Sequence, residues 1–438
     1  QCDNGSFVLA ANTPVIGTGT WTIIGAANGA IVDDPTSPTS QVNGLLAGQS
    51  VTLRWTITNG SCSSFDEITL TNSEAPTIAT AGADQEQCNT STFVMAANVP
   101  VVGNGVWSIQ GPANGAVITN VNSPTTTITG LTAGSTVTLR WTITNGSCSN
   151  FDEVVLTNSA LTTVAAAGPD QEQCDSGTFT LAGNTPVTGT GAWTIIGPAN
   201  GAVIDAPGSA TSQVNGLLPG QSVTLRWTIT NGSCSSFDEV TLTNSATPTT
   251  ADAGSDQVEC NTNAFVMAAN TPVIGNGLWS IQGPANGAVI TNVNSPTTTV
   301  TGLAAGSSVT LRWTITNGSC SNFDEVVLTN LESPTVADAG DDQQICGGST
   351  VLDANTPTIG TGEWSIVLGT GGLIDSPTDP VSAFSGTTNT TYVLRWTITN
   401  GICVSTDDVQ IQLKTIPDVA ASNEEICSGE SINIPITN

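Results

Sequence analysis

The chain has 438 residues, of which 35 are acidic, 6 basic and none histidine, giving a formal net charge of -29. That balance argues against partners such as DNA, RNA or an anionic membrane surface. With no histidine there is no conventional Ser or Cys triad, and the one lysine, Lys414, is the only amine base.

The first elements read as β-structure. Phe7-Val8-Leu9 is a short strand, ended by Asn12-Thr13-Pro14 and a glycine-rich turn at Gly17 and Gly19. Trp21 and Ile23 begin the next. Further on, Val51, Leu53, Trp55 and Ile57 alternate with Thr52, Arg54, Thr56 and Thr58, the period of two that puts apolar side chains on one face of a strand. Asn59-Gly60 is a hairpin signal, after which Ile68 and Leu70 resume the alternation. Short strands separated by Gly, Pro and Asn predict a β-sandwich, and no segment shows helical periodicity.

The pattern then repeats. Cys2, Cys88, Cys174, Cys260 and Cys346 fall at a constant step of 86 residues, as do Trp21, Trp107, Trp193 and Trp279, and Cys62, Cys148, Cys234 and Cys320. A fixed period of this size marks an array of small domains. We place repeat 1 at 1–74, without its first strand, and further repeats at 75–159, 160–245, 246–331 and 332–414, with a sixth beginning at 415–438. Repeats 1 and 3 share WTIIG and SCSSFDE, and repeats 2 and 4 share WSIQGPANGAVITNVNSPTTT, so the unit of duplication is a 172-residue pair. The junctions are a few residues long and carry no Gly/Ser tract, which predicts close coupling between neighbours and a stiff array. Opening and ending inside repeats, the chain reads as a window on a longer polypeptide, and it contains no signal peptide, anchor motif or apolar run near 18 residues.

The string AG-x-DQ-x-x-C, then N-x-P-x-x-G-x-G-x-W, then TLRWTITNG-x-C, runs here through Ala81-Gly82-Ala83-Asp84-Gln85 to Cys88, Asn98 to Trp107, and Leu139 to Cys148. It resembles the PKD-like/Ig-like repeats of Bacteroidota cell-surface proteins, which make up most of the giant adhesins exported by the type IX secretion system, including SprB-type gliding adhesins. The resemblance covers the whole chain and implies an all-β tandem array of Ig-like/PKD-like Greek-key sandwiches at the extracellular cell surface. It implies a stalk or adhesin role, with no catalytic residues. Its partners would be neighbouring repeats of the same long chain, other cell-surface or secretion-system proteins and surface glycans, with no nucleic acid and no membrane insertion.

Candidate sites are few. The two tryptophans of each unit share strand faces with Val, Leu and Ile, which predicts core packing rather than a glycan platform. Arg54, Arg140, Arg226, Arg312 and Arg395 lie on the outer face, where the hairpin brings them opposite Glu67, Glu153, Glu239, Glu325 and Asp408 and predicts cross-strand ion pairs. Asp33-Asp34 becomes Thr119-Asn120 in repeat 2, so that cluster is dispensable. Asp84, Asp170, Asp256 and Asp342 persist, as do the paired acids from Asp66-Glu67 to Asp407-Asp408. They are weak candidates for calcium, which needs six to eight oxygens, against an ordinary turn-closing role. No cofactor is otherwise expected.

Eleven cysteines, Cys2, Cys62, Cys88, Cys148, Cys174, Cys234, Cys260, Cys320, Cys346, Cys403 and Cys427, recur in register without a C-x-x-C, pointing to disulfides and an oxidising compartment rather than zinc. Two connectivities are open. Pairing within a unit would join Cys2 to Cys62 and Cys88 to Cys148. In an Ig-like Greek key, however, those positions lie at opposite ends of the sandwich. That topology favours links between neighbours: Cys2–Cys148, Cys88–Cys234, Cys174–Cys320 and Cys260–Cys403. The resulting expectation is a disulfide-reinforced stalk without enzymatic activity. Its rivals are a carbohydrate- or calcium-binding module array and the accessory repeats of a secreted enzyme.

Overall fold

A computed structural model describes residues 1–419 and Ser428, and among these every regular element is a β-strand. Repeat 2 shows the plan. Its seven strands are Gln85–Cys88, Phe93–Val94, Asn104–Gln110, Val117–Ile118, Thr127–Thr129, Ser135–Asn145 and Cys148–Ser159. One sheet runs in the order Gln85–Cys88, Cys148–Ser159, Ser135–Asn145, Asn104–Gln110; the other runs Val117–Ile118, Thr127–Thr129, Phe93–Val94. All pairings are antiparallel except that of Gln85–Cys88 with Cys148–Ser159. This is the expected Ig-like sandwich, and the fourth and fifth repeats carry the same order.

The alternation read from the sequence explains the core. Val137, Leu139, Trp141 and Ile143 point inward from one strand and are at most 2% exposed. Trp141 sits directly opposite Trp107 across the ladder, with ring centroids 5.1 Å apart. Gly105 lies beneath the Trp141 indole, where a Cβ would overlap the six-membered ring, so only glycine fits. Phe93, Ile128 and Leu156, from the neighbouring strands, complete the core.

On the outer face each Arg meets the acid directly opposite it in register. The Arg140 Nη2 to Glu153 Oε1 distance is 2.6 Å. The guanidinium also lies over the ring of Phe151, 3.8 Å from its centroid, which the sequence reading did not anticipate. Repeat 5 has Thr406 at the phenylalanine position and Asp408 for the glutamate, and Arg395 grips Asp408 through two nitrogens. The hydrogen bond from Arg395 holds the Asp408 carboxyl below its usual range. Its contribution is therefore present at neutral pH and fades as pH falls through the folded value. Phe151→Ala should lower the stability of repeat 2 by about 0.5–1 kcal/mol, read by chemical denaturation, while Phe151→Leu recovers only the apolar part.

Chain contacts group the residues into two compact units. One comprises Gln1–Gln171, Gly177–Leu218 and Ser222–Leu242; the other comprises Glu172–Ser176, Pro219–Gln221 and the chain from Thr243 onward. The division passes through the third repeat, not along a repeat boundary. Strands end at Ser159, Ser245, Leu331 and Lys414, next to the boundaries read from the sequence.

Candidate functional site: the junction between successive repeats

Repeats 2 to 5 each begin with a segment that forms no strand yet closes the edge of its sandwich. In repeat 2 this is Pro76–Asp84. Thr77 Oγ1 accepts the N–H groups of Val101 and Val102, both at 2.9 Å. Asn98 receives Thr80 N–H on its Oδ1 and donates from Nδ2 to the Ile78 carbonyl. Ala79 N–H donates to Asn150 Oδ1 at 2.7 Å, and Ala81 N–H to Asp152 Oδ2 at 2.8 Å. The small side chains of Ala79 and Ala81 are buried in the core. A larger residue would hold the segment off the sheet.

These contacts explain the acids that persist through the array. Asp84 Oδ1 accepts the Val155 N–H at 2.8 Å, and Asp170, Asp256 and Asp342 do the same for Thr241, Val327 and Gln410. In the complete repeats the first acid of each pair is committed as well: Asp152, Asp238, Asp324 and Asp407 receive the amide of the segment's second buried alanine. Carboxylates committed to backbone amides along the sheet edge are structural acceptors without any metal. Among the described residues no group of three or more potential ligands converges. Melting with and without EDTA should therefore differ by a few degrees at most, and a loss of tens of degrees would show that these acids ligate metal.

The cysteines are placed by the same strands. Cys88 stands in register with Ser159 at the far end of the strand that Cys148 begins. Eleven residue steps at ~3.3 Å separate those ends by about 36 Å, whereas a disulfide needs Cα atoms within about 7 Å. The nearby partner belongs to the next repeat. Cys88 is bonded to Cys234 with Cα atoms 4.8 Å apart, and Cys2 to Cys148, Cys174 to Cys320 and Cys260 to Cys403 follow the same register.

Two of the cysteines counted among the disulfides need correction. Cys62 and Cys346 are free and exposed, because a separation of 146 or 143 residues leaves neither a partner within this chain. Cys427 lies outside the described residues.

Polar contacts reinforce each disulfide. Asn145, Asn231, Asn317 and Asn400, which open the hairpins, donate to the carbonyls of Glu74, Ala160, Ala246 and Glu332, the first residues after the preceding sandwich. The hairpin glycines, such as Gly146 with φ +61°, hold a left-handed backbone, and a Cβ at Gly146, Gly232 or Gly318 would force Ser73, Ser159 or Ser245 to move.

Beside Cys88–Cys234, Glu86 Oε1 accepts from Ser159 Oγ at 2.6 Å and from Ser233 N–H at 2.8 Å. Glu172 does the same with Ser245 and Ser319 beside Cys174–Cys320, which places Glu172–Ser176 with the second compact unit. At the next junction the three positions change together to Val258, Leu331 and Ile402. The sequence reading missed these clamps. The matched change of all three positions in one junction was the signal available to find them.

No family profile of known proteins matches the sequence, and no curated protein matches it. Solved structures of tandem Ig domains align with it at low identity. An I-band fragment of titin is 13% identical at a TM-score of 0.36, covering 57% of this chain and 97% of that one. Five Ig domains of Sidekick-1 are 11% identical at 0.28, covering 95% and 96%. The eight N-terminal Ig domains of Down Syndrome Cell Adhesion Molecule are 12% identical at 0.23, covering 96% and 71%. These likenesses concern fold alone. The chain is a tandem array of small Ig-like β-sandwiches with four disulfides, each joining neighbouring repeats.

Proposed function

We propose that this array is a load-bearing stalk segment of a large secreted cell-surface adhesin, of the type exported by the type IX system and used in surface adhesion or gliding. The observation that carries this reading is the cross-junction disulfide, repeated four times in one register. A link within a domain would stabilise that domain. A link between domains instead adds a covalent route for tension from one repeat to the next. Disulfides of this density belong to an oxidising, extracellular setting.

The residues that persist from repeat to repeat are occupied in building each sandwich or in tying it to the next, which supports a structural and non-catalytic role. Glycan-array binding and calcium titration of the oxidised chain test this against the binding-module reading. The stalk gives no saturable binding in either assay, and saturation with a defined stoichiometry per repeat would replace it.

A further inference from the structure

The bridges between repeats join sulfurs in unlike surroundings. Cys88, Cys174 and Cys260 end short edge strands and are exposed. Their partners Cys234, Cys320 and Cys403 open the long strand of the next repeat and are at most 2% exposed. Cys234 Sγ lies 3.4 Å from the Ser159 carbonyl oxygen, and Cys320 Sγ lies 3.3 Å from that of Ser245. The amide preceding each of these two buried cysteines is also taken, since Ser233 N–H donates to Glu86 and Ser319 N–H to Glu172. At Cys260–Cys403 the clamp positions are apolar instead: Val258, Leu331 and Ile402.

That asymmetry governs thiol–disulfide exchange. An attacking thiolate must reach one sulfur and expel the other as a thiolate. The reachable sulfur is that of Cys88, yet attack there expels Cys234 where burial, a carbonyl oxygen and a nearby carboxylate all oppose negative charge. Attack on Cys234 would expel the better leaving group, but Cys234 is closed to solvent. Access and leaving-group quality therefore work against each other at every one of these bridges.

We propose that the three bridges are guarded, one-sided latches whose exposed cysteines, Cys88, Cys174 and Cys260, are sites of reversible modification by low-molecular-weight thiols such as glutathione. In the opening step the glutathione thiolate bonds to Cys88 Sγ and the Cys88–Cys234 bond breaks. Cys234 leaves as a thiolate and takes a proton from water. One disulfide replaces another, with no net oxidation or reduction. Polar contacts then keep the opened pair together: Glu86 holds Ser159 of its own repeat and Ser233 of the next, and Asn231 donates to the Ala160 carbonyl. Cys234 stays beside the mixed disulfide, loses its proton, attacks Cys88 Sγ and expels glutathione thiolate, which recloses the latch. The inference rests on the bridges and not on the stalk reading, so glycan or calcium binding would leave it standing.

The test uses the full chain carrying Cys62→Ser, Cys346→Ser and Cys427→Ser, whose four disulfides are first verified by non-reducing peptide mapping. It is exposed to reduced glutathione, quenched with acid, alkylated with N-ethylmaleimide and mapped by mass spectrometry. Glutathione is expected on Cys88, Cys174 and Cys260 and maleimide on Cys234, Cys320 and Cys403, the opposite pattern being at least about tenfold rarer. Opening of the native chain should be at least about tenfold slower than in guanidinium chloride, where access and leaving group no longer conflict. Glu86→Gln keeps the acceptor oxygen and removes the charge, so it should speed opening of Cys88–Cys234 while Cys174–Cys320 in the same molecule is unchanged. Glutathione shared equally between the two cysteines of a bridge, adducts mainly on the buried ones, opening as fast as in denaturant, or equal rates at the two bridges of the Glu86→Gln chain would each overturn the proposal.

Discussion

Pulled from its two ends in single-molecule force spectroscopy, the oxidised chain is expected to lengthen far less than a string of independent domains. A free repeat of 86 residues releases about 30 nm when it unfolds, at roughly 3.3–3.6 Å per residue. Here Cys2–Cys148 and Cys174–Cys320 each short-circuit a span of 146 residues. Between those two bonds only the 26-residue stretch from Cys148 to Cys174 can pay out, about 9 nm.

Cys88–Cys234 and Cys260–Cys403 form a second, interleaved route of the same kind. Tension therefore runs through sulfur and short linkers while most of each sandwich is shielded. Reduction should restore steps of about 30 nm, one per repeat. Full-length steps in the oxidised chain would mean that the disulfides do not bridge the junctions.

Trp141→Ala should remove most of the stability of repeat 2 and little of any other. Trp141 is fully buried, packed on Trp107 and covering Gly105. Truncating a buried tryptophan costs about 3–5 kcal/mol, comparable to the whole stability of a small domain at roughly 0.05–0.15 kcal/mol per residue. Hydrogen exchange on the oxidised variant should show protection lost across 75–159 and retained in repeats 4 and 5. Gly105→Ala approaches the same end by overpacking, since the new methyl must displace the indole. Uniform loss across the array would instead reveal one cooperative unit larger than a repeat.

The features legible in the sequence were those written as periodicity. The alternation around Trp55 named the strands and the buried face, the Asn-Gly pairs named the hairpins, and Arg140 opposite Glu153 follows from hairpin register alone. What escaped was side chains serving backbone amides. Asp152 and Asp84 read only as weak calcium candidates or turn-closing acids because their partners, the N–H groups of Ala81 and Val155, carry no residue signature. Phe151 under Arg140 is a diagonal cross-strand contact, visible once the register is drawn. Glu86 escaped for another reason. Its partner Ser233 is 147 residues away, beyond any pattern within a single repeat.

The account rests on disulfides that cross the junctions, and non-reducing peptide mapping of the oxidised chain reads them directly. It predicts peptides joining Cys2 to Cys148, Cys88 to Cys234, Cys174 to Cys320 and Cys260 to Cys403. Recovery of Cys88 bonded to Cys148, with no peptide joining Cys88 to Cys234, would contradict it.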